Sequence, residues 1–137
     1  MTQEFQLDSE EALVRAFVVP AKQQRLLELL ANPKRRRDAL RTLAHFRDLD
    51  TRYTVAITPG QQSAAGISGI LRARGAPAAC YLVSESADFD GRTMALSDAL
   101  DAVVGAGYGT LVSCIPGRLG YYEGEGPSDR RVLSHGA

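Results

Sequence analysis

Tryptophan is absent from this chain of 137 residues, and cysteine and histidine occur only twice each. Cys80 and Cys114 have no Cys-x-x-Cys partner and no histidine close by in sequence, so the usual zinc spacings are missing. Each lies in an apolar, strand-like run, where an unpaired thiol behaves as a small buried hydrophobe. The expectation is two free core thiols in a reducing compartment, with no metal and no cofactor. Long apolar runs are also missing: none approaches the roughly 20 residues that span a bilayer. Met1-Thr2-Gln3-Glu4 lacks the basic start and apolar stretch of a secretory signal. A cytoplasmic protein with no membrane partner is expected. Gly-x-Gly-x-x-Gly and Gly-Lys-Ser/Thr do not occur, which leaves Gly60-Gln61-Gln62-Ser63 as an ordinary strand-to-helix junction and not a phosphate loop.

Net charge is lacking too. Sixteen Lys and Arg offset sixteen Asp and Glu, which removes any whole-molecule attraction to nucleic acid or anionic lipid. The charges are nevertheless unevenly placed. Lys22, Arg25, Lys34, Arg35, Arg36, Arg37, Arg41 and Arg47 face only Glu28 and Asp38 in their stretch, whereas Glu85, Asp88, Asp90, Asp98 and Asp101 face only Arg92. Such asymmetry serves internal pairing, steering or dimerisation.

What is present is enough for one domain with a real core: 45% of residues are apolar and 23% charged. Asp8 with Glu11 three residues on resembles a helix start, predicting a helix from Ser9 to about Phe17. Pro20 opens a second helix with Leu26, Leu27, Leu29 and Leu30 on its apolar face. Asn32-Pro33 closes it, and a third helix is predicted from Pro33 to about Phe46. Tyr53 to Ile57 alternates as a strand. Ser63 caps a helix bearing Ile67, Ile70 and Leu71, stopped at Gly75, in which Gly66 and Gly69 imply close backbone packing. Ala79 to Ser84 and Arg92 to Leu96 read as strands, and Leu96, Ala99, Leu100, Val103 and Val104 as the cleanest amphipathic helix. Thr110 to Ile115 and Arg118 to Glu123 form a hairpin through a type II-like turn at Pro116-Gly117. The fold class is α/β or α+β: a single domain over 1–125, helical from 8 to 47 and sheet-rich from 53 to 125, with a mixed sheet of four to five strands. The stretch 126–137 reads as a flexible tail with room for a short strand at Arg131 to Leu133.

No set of polar residues has the spacing of a known site. The leading expectation is therefore a non-enzymatic binding or protein-interaction domain, its partner a protein, either self or other. Lys34, Arg37, Arg41 and His45 would share one face of the third helix, a basic row over 34–47 able to meet an acidic protein or, in a further alternative reading, the phosphates of RNA or DNA as a nucleic-acid-binding module. Arg118 and Tyr122 follow the hairpin turn, and an exposed tyrosine there would serve as a contact. A second reading is a small hydrolase or metal-dependent enzyme: His45 and Asp48 share a helical face, and with Asp50 and loop carboxylates they form the only catalytic arrangement the sequence suggests besides Cys114 beside its turn. Asp88-Phe89-Asp90-Gly91 lacks the ladder of a calcium loop and reads as a turn.

Overall fold

The computed structural model describes residues 3–135; residues 1–2 at the start, and Gly136 and Ala137 of the expected tail, lie outside the described residues. Three helices come first, α1 (Gln3–Phe17), α2 (Pro20–Ala31) and α3 (Arg36–Leu40). Two more, α4 (Ala64–Ala73) and α5 (Leu96–Val103), are interleaved with strands β1 (Thr54–Ala56), β2 (Ala79–Ser84), β3 (Thr93–Ala95), β4 (Thr110–Ile115), β5 (Leu119–Glu123) and β6 (Arg131–Ser134). The strands form one sheet in the order β1-β6-β5-β4-β2-β3. Every neighbouring pair is antiparallel. The class is α+β, and the expected mixed sheet of four to five strands is corrected to six antiparallel ones. The extra strand is β6: Arg131–Ser134 is an inner strand between β1 and β5, where a flexible tail was expected. The short strand allowed at Arg131 to Leu133 does form, but two apolar residues between polar neighbours give no sign of its inner position.

Helices cover both faces of the sheet, and period-two alternation decides which side chain meets which layer. Cys80, Leu82, Val112, Cys114, Leu119, Tyr121 and Val132 pack toward α4 and α5. Tyr81, Val83, Leu111, Tyr122 and Leu133 pack toward α1, α2 and α3. Both tyrosines after the hairpin turn are therefore core residues on opposite faces, 0% and 3% exposed. The expectation that Tyr122 presents a contact surface gives way to this two-sided burial. The hairpin strands β4 and β5 are central, and the sheet's edges are β1 and β3 with three residues each. Such short edges limit strand-to-strand association.

Local chemistry explains the main boundaries. Asp8 is inside α1 and does not cap it, because the helix already begins at Gln3. The Ser63 hydroxyl accepts from the Gly66 amide and caps α4 as expected. A Cβ at Gly66 would come within 2.6 Å of the Gln61 carbonyl oxygen, whereas one at Gly69 would meet nothing; close packing is needed only at the first. Gly117 takes φ 74°, the left-handed conformation of the third residue of a type II turn. No helix among the described residues is long and apolar enough to cross a membrane.

The predicted helix from Pro33 to Phe46 does not form as one piece. It ends at Leu40, and a single 3-10 turn, Leu43–His45, follows. The cause is docking onto the sheet. A Cβ at Gly109 would lie 2.1 Å from the Leu43 carbonyl carbon, and one at Gly124 would lie 3.2 Å from the Ala44 oxygen, so backbone rests on backbone there. The Tyr122 hydroxyl donates to the Leu43 carbonyl at 2.5 Å and accepts from the Phe46 amide at 3.2 Å. The Glu125 amide donates to the Ala44 carbonyl. A continuing α-helix would withdraw these groups from the sheet.

Candidate functional site: a cationic groove between two helices

The 3-10 turn and the strand-like stretch after it run beside α2 and leave a groove between them. Pro20 starts α2 with a residue whose missing N–H costs nothing at that position. Asn32 ends it: its amide bonds to the Leu29 carbonyl, and its side chain accepts from the Lys34 amide. The chain then reverses, and α3 returns alongside. Beyond Phe46 the strand-like stretch is tied to the start of α2, with the Val19 amide donating to the Asp48 carbonyl and the Asp50 amide to the Phe17 carbonyl. Both walls are thus held by backbone hydrogen bonds, one through the sheet and one through this bridge.

The cavity measures about 410 Å³, within the range of sites that accept small ligands or anchoring side chains. Its floor is apolar, built from Leu26, Leu29, Ala39 and Phe46, and its rim carries Lys22, Arg25, Arg35 and Arg47 against Asp38 and Asp48, with His45 beside them. Lys22, Arg25 and Arg47 are exposed and have no side-chain partner among the described residues. Asp38 is already engaged by Arg35 at 3.6 Å and Arg41 at 3.8 Å. The groove therefore has a net positive rim over an apolar base.

Elsewhere the ionic groups are consumed by the architecture. All five guanidinium N–H groups of Arg36 are engaged. Nε and one terminal nitrogen donate to the two oxygens of Asp90 at 2.8 and 2.9 Å, both terminal nitrogens donate to Glu10 at 2.8 and 2.7 Å, and the last donor reaches the Leu30 carbonyl at 3.0 Å. Tyr81 adds a hydrogen bond to Glu10 at 2.5 Å. One side chain thereby ties α1, α2, α3 and the turn before β3, and Glu10 links the group to β2 through Tyr81. Burial works against its charge, yet the two carboxylates hold the guanidinium more firmly protonated than usual. On the other face Glu123, 1% exposed, accepts from Tyr121, Arg130 and the Gly105 amide, and Arg130 also reaches Gln62. Among the described residues, no buried side-chain nitrogen or oxygen is left without a hydrogen bond.

The residues singled out by sequence disperse. His45 lies on the groove rim with Nε2 2.9 Å from Glu125, both groups exposed. Asp48 contributes its backbone to the bridge with α2. Asp50 caps the 3-10 turn Thr51–Tyr53 and pairs with Arg52 at 2.7 Å, and that hydrogen bonding holds its carboxyl below the usual range. No group of three His, Cys, Asp or Glu side chains able to hold a metal ion occurs among the described residues. Cys114 is buried and burial pushes its thiol up to about 12, the reverse of an activated nucleophile. Lys34 and Arg37 are exposed, Arg41 leans on Asp38, and Arg118 is exposed beside the hairpin turn. The continuous basic row over 34–47 is absent because the helix that would have carried it stops at Leu40.

Sequence reasoning missed the α2 wall and the Arg36 node. A signal for the node was present: Glu10 precedes Leu13, Val14 and Phe17 by three, four and seven residues, placing a carboxylate on the buried stripe of α1, where it demands a partner. Comparison with protein-family models, with curated proteins and with solved structures returns no match.

Proposed function

We propose that the domain is a non-enzymatic binding module whose groove between α2 and the 43–48 stretch receives an acidic, amphipathic segment of another protein. The observation that carries this reading is the pairing of an apolar floor, Leu26, Leu29 and Phe46, with the unpartnered cations Lys22, Arg25 and Arg47 on its rim. An amphipathic helix lays its apolar anchors into such a groove, while complementary charge at the rim sets orientation and speeds encounter. Because the walls are tied down by backbone hydrogen bonds, little ordering entropy is lost on binding. A second copy of the chain suits the groove less well. The acidic helix α5 turns Leu96, Ala99, Leu100 and Val103 into its own core and exposes Asp98 and Asp101 without apolar anchors.

The test is fluorescence anisotropy with labelled helical peptides carrying leucines at i, i+4 and i+7 on an acidic background, against the same leucines on a basic background and against mixed oligonucleotides. Binding of the acidic set that weakens with salt, and weakens further in a Lys22→Glu/Arg25→Glu variant, supports the proposal. Preference for the basic peptides or for oligonucleotides, or no binding by any acidic peptide at millimolar concentration, refutes it.

A further inference from the structure

Continuing the β2–β4 register one step beyond Tyr81 opposite Ser113 brings Cys80 opposite Cys114. Both belong to the same layer of the core as Leu82 and Val112, so their side chains emerge on one face of the sheet. The kind of pair they make follows from the backbone. The Leu82 amide donates to the Arg92 carbonyl and the Leu82 carbonyl accepts from the Gly91 amide, so the peptide groups of Leu82 point toward β3. Two residues earlier, Cys80 shares that orientation and presents β4 with a non-hydrogen-bonded position, the type in which opposing Cα atoms approach to about 4.5 Å and side chains are closest. That separation falls inside the window a disulfide can bridge, about 4.4–6.8 Å between Cα atoms. On its other side, Cys114 is the extra residue of a bulge: Ser113 pairs with Gly120 and Ile115 with Leu119, leaving nothing opposite Cys114 on β5. Bulges of this sort re-aim a side chain within a sheet.

We propose that Cys80 and Cys114 are a cross-strand dithiol that a hydroperoxide converts to an intramolecular disulfide stapling β2 to β4. The chemistry balances in two steps. The sulfur of one cysteine, as thiolate, attacks the peroxide; the O–O bond breaks, a sulfenic acid forms, and the leaving oxygen departs as water or alcohol with the proton given up by the thiol. The second sulfur then attacks the sulfenic sulfur, the S–S bond forms, the S–O bond breaks, and the hydroxyl leaves as water with the second proton. Two sulfurs together lose two electrons and the peroxide gains two. The structure is the reduced form, with both thiols free. Each is 4% exposed, and both line one small pocket with Ser9, Tyr81 and Thr93, through which a small oxidant would reach them. Burial raises both thiols to about 12, with Cys80 adding to the rise at Cys114, so oxidation is slow at neutral pH and accelerates as pH rises.

Hydrogen peroxide applied to the intact, reduced protein, followed by mass spectrometry and peptide mapping without reductant, decides the matter. The expected result is a loss of mass equal to two hydrogens, a single cross-linked peptide pair containing both cysteines, a rise of several degrees in the unfolding midpoint, and restoration of the original mass and midpoint by a dithiol reductant. A Cys80→Ser variant should instead stop at the sulfenic acid on Cys114, read as a gain of one oxygen in the intact mass that a reductant reverses after unfolding. Oxidation to sulfinic or sulfonic acid at separate cysteines, cross-linking between molecules, or loss of two hydrogens only after unfolding in urea overturns the proposal.

Discussion

Replacing Arg36 by methionine keeps the aliphatic stem and removes the guanidinium that reaches two carboxylates at once. Among the described residues, Glu10, with its side chain 4% exposed, would keep the Tyr81 hydroxyl, and Asp90, 15% exposed, the Ser84 amide. Two negative charges would face each other with little solvent between them. Removing one member of a buried ionic group costs about 3–5 kcal/mol, because the stranded partner stays desolvated. Against a total stability of about 5–15 kcal/mol that is a large fraction. With a urea dependence of about 2 kcal/mol per molar, the unfolding midpoint should drop by about 2 M with no change in slope. Neutralising the stranded partners as well, in Glu10→Gln/Arg36→Met/Asp90→Asn, should recover a good part of the loss, since what is costly is the uncompensated charge. The assay is equilibrium urea unfolding followed by circular dichroism. A loss below about 1 kcal/mol in the single variant, the worth of an exposed surface pair, would refute the reasoning, as would a triple variant no better than the single one.

Three further outcomes follow from the same structure. Gly109→Ala drives a methyl into the Leu43–Ala44 backbone; it should cost at least about 1–3 kcal/mol and shift the amide resonances of residues 42–48, checked by urea unfolding and NMR. Lys22→Glu/Arg25→Glu changes exposed residues with no partner among the described residues, so stability should stay within about 0.5 kcal/mol while affinity for an acidic amphipathic peptide falls about tenfold, from about 1–2 kcal/mol of lost and reversed rim charge. Alkaline pH should destabilise the fold. The thiols of Cys80 and Cys114 move from 9.0 to about 12 on folding, so between those values the unfolded chain releases protons the native state retains, and stability falls by up to about 1.4 kcal/mol per pH unit per group. Tyr81 and Tyr121, raised above their ordinary 10.0 by burial and by the neighbouring glutamates, extend the fall to higher pH. Cys80→Ala/Cys114→Ala should flatten the profile between about pH 9 and 10 and leave the tyrosine part, as read from thermal midpoints across a pH series.

The elements with strong local chemistry were legible in the sequence. The β4–β5 hairpin, the Ser63 cap, the Gly75 stop and the Leu96–Val103 periodicity each depend on residues near one another in the chain, and each stands in the structure. What was not legible depends on partners far away. The third helix reads as continuous to Phe46 because propensity and periodicity know nothing of Gly109, Gly124 and Tyr122, which take hold of Leu43, Ala44 and Phe46. Strand β6 was legible as a short strand at Arg131 to Leu133, but its inner place in the sheet depends on β5 and β1. The groove follows from the first of these: the broken third helix creates its wall, so of the residues read as one basic row His45 reaches the rim, Arg41 pairs with Asp38, and Lys34 and Arg37 stand exposed. His45, Asp48 and Asp50 are neighbours in sequence yet diverge, since the chain leaves its 3-10 turn at His45 and runs extended to Asp50 instead of continuing as a helix.

The most direct measurement is amide-resolved NMR of the isotope-labelled protein during titration with an acidic amphipathic peptide. The expected result is a contiguous set of shifts along Lys22 to Leu29 and Asp38 to Asp48, saturating together, with the β1 and β3 edges and the exposed face of α5 unmoved. Shifts confined to those edges or to α5, or scattered over the surface without saturation, would contradict a binding groove between α2 and the 43–48 stretch.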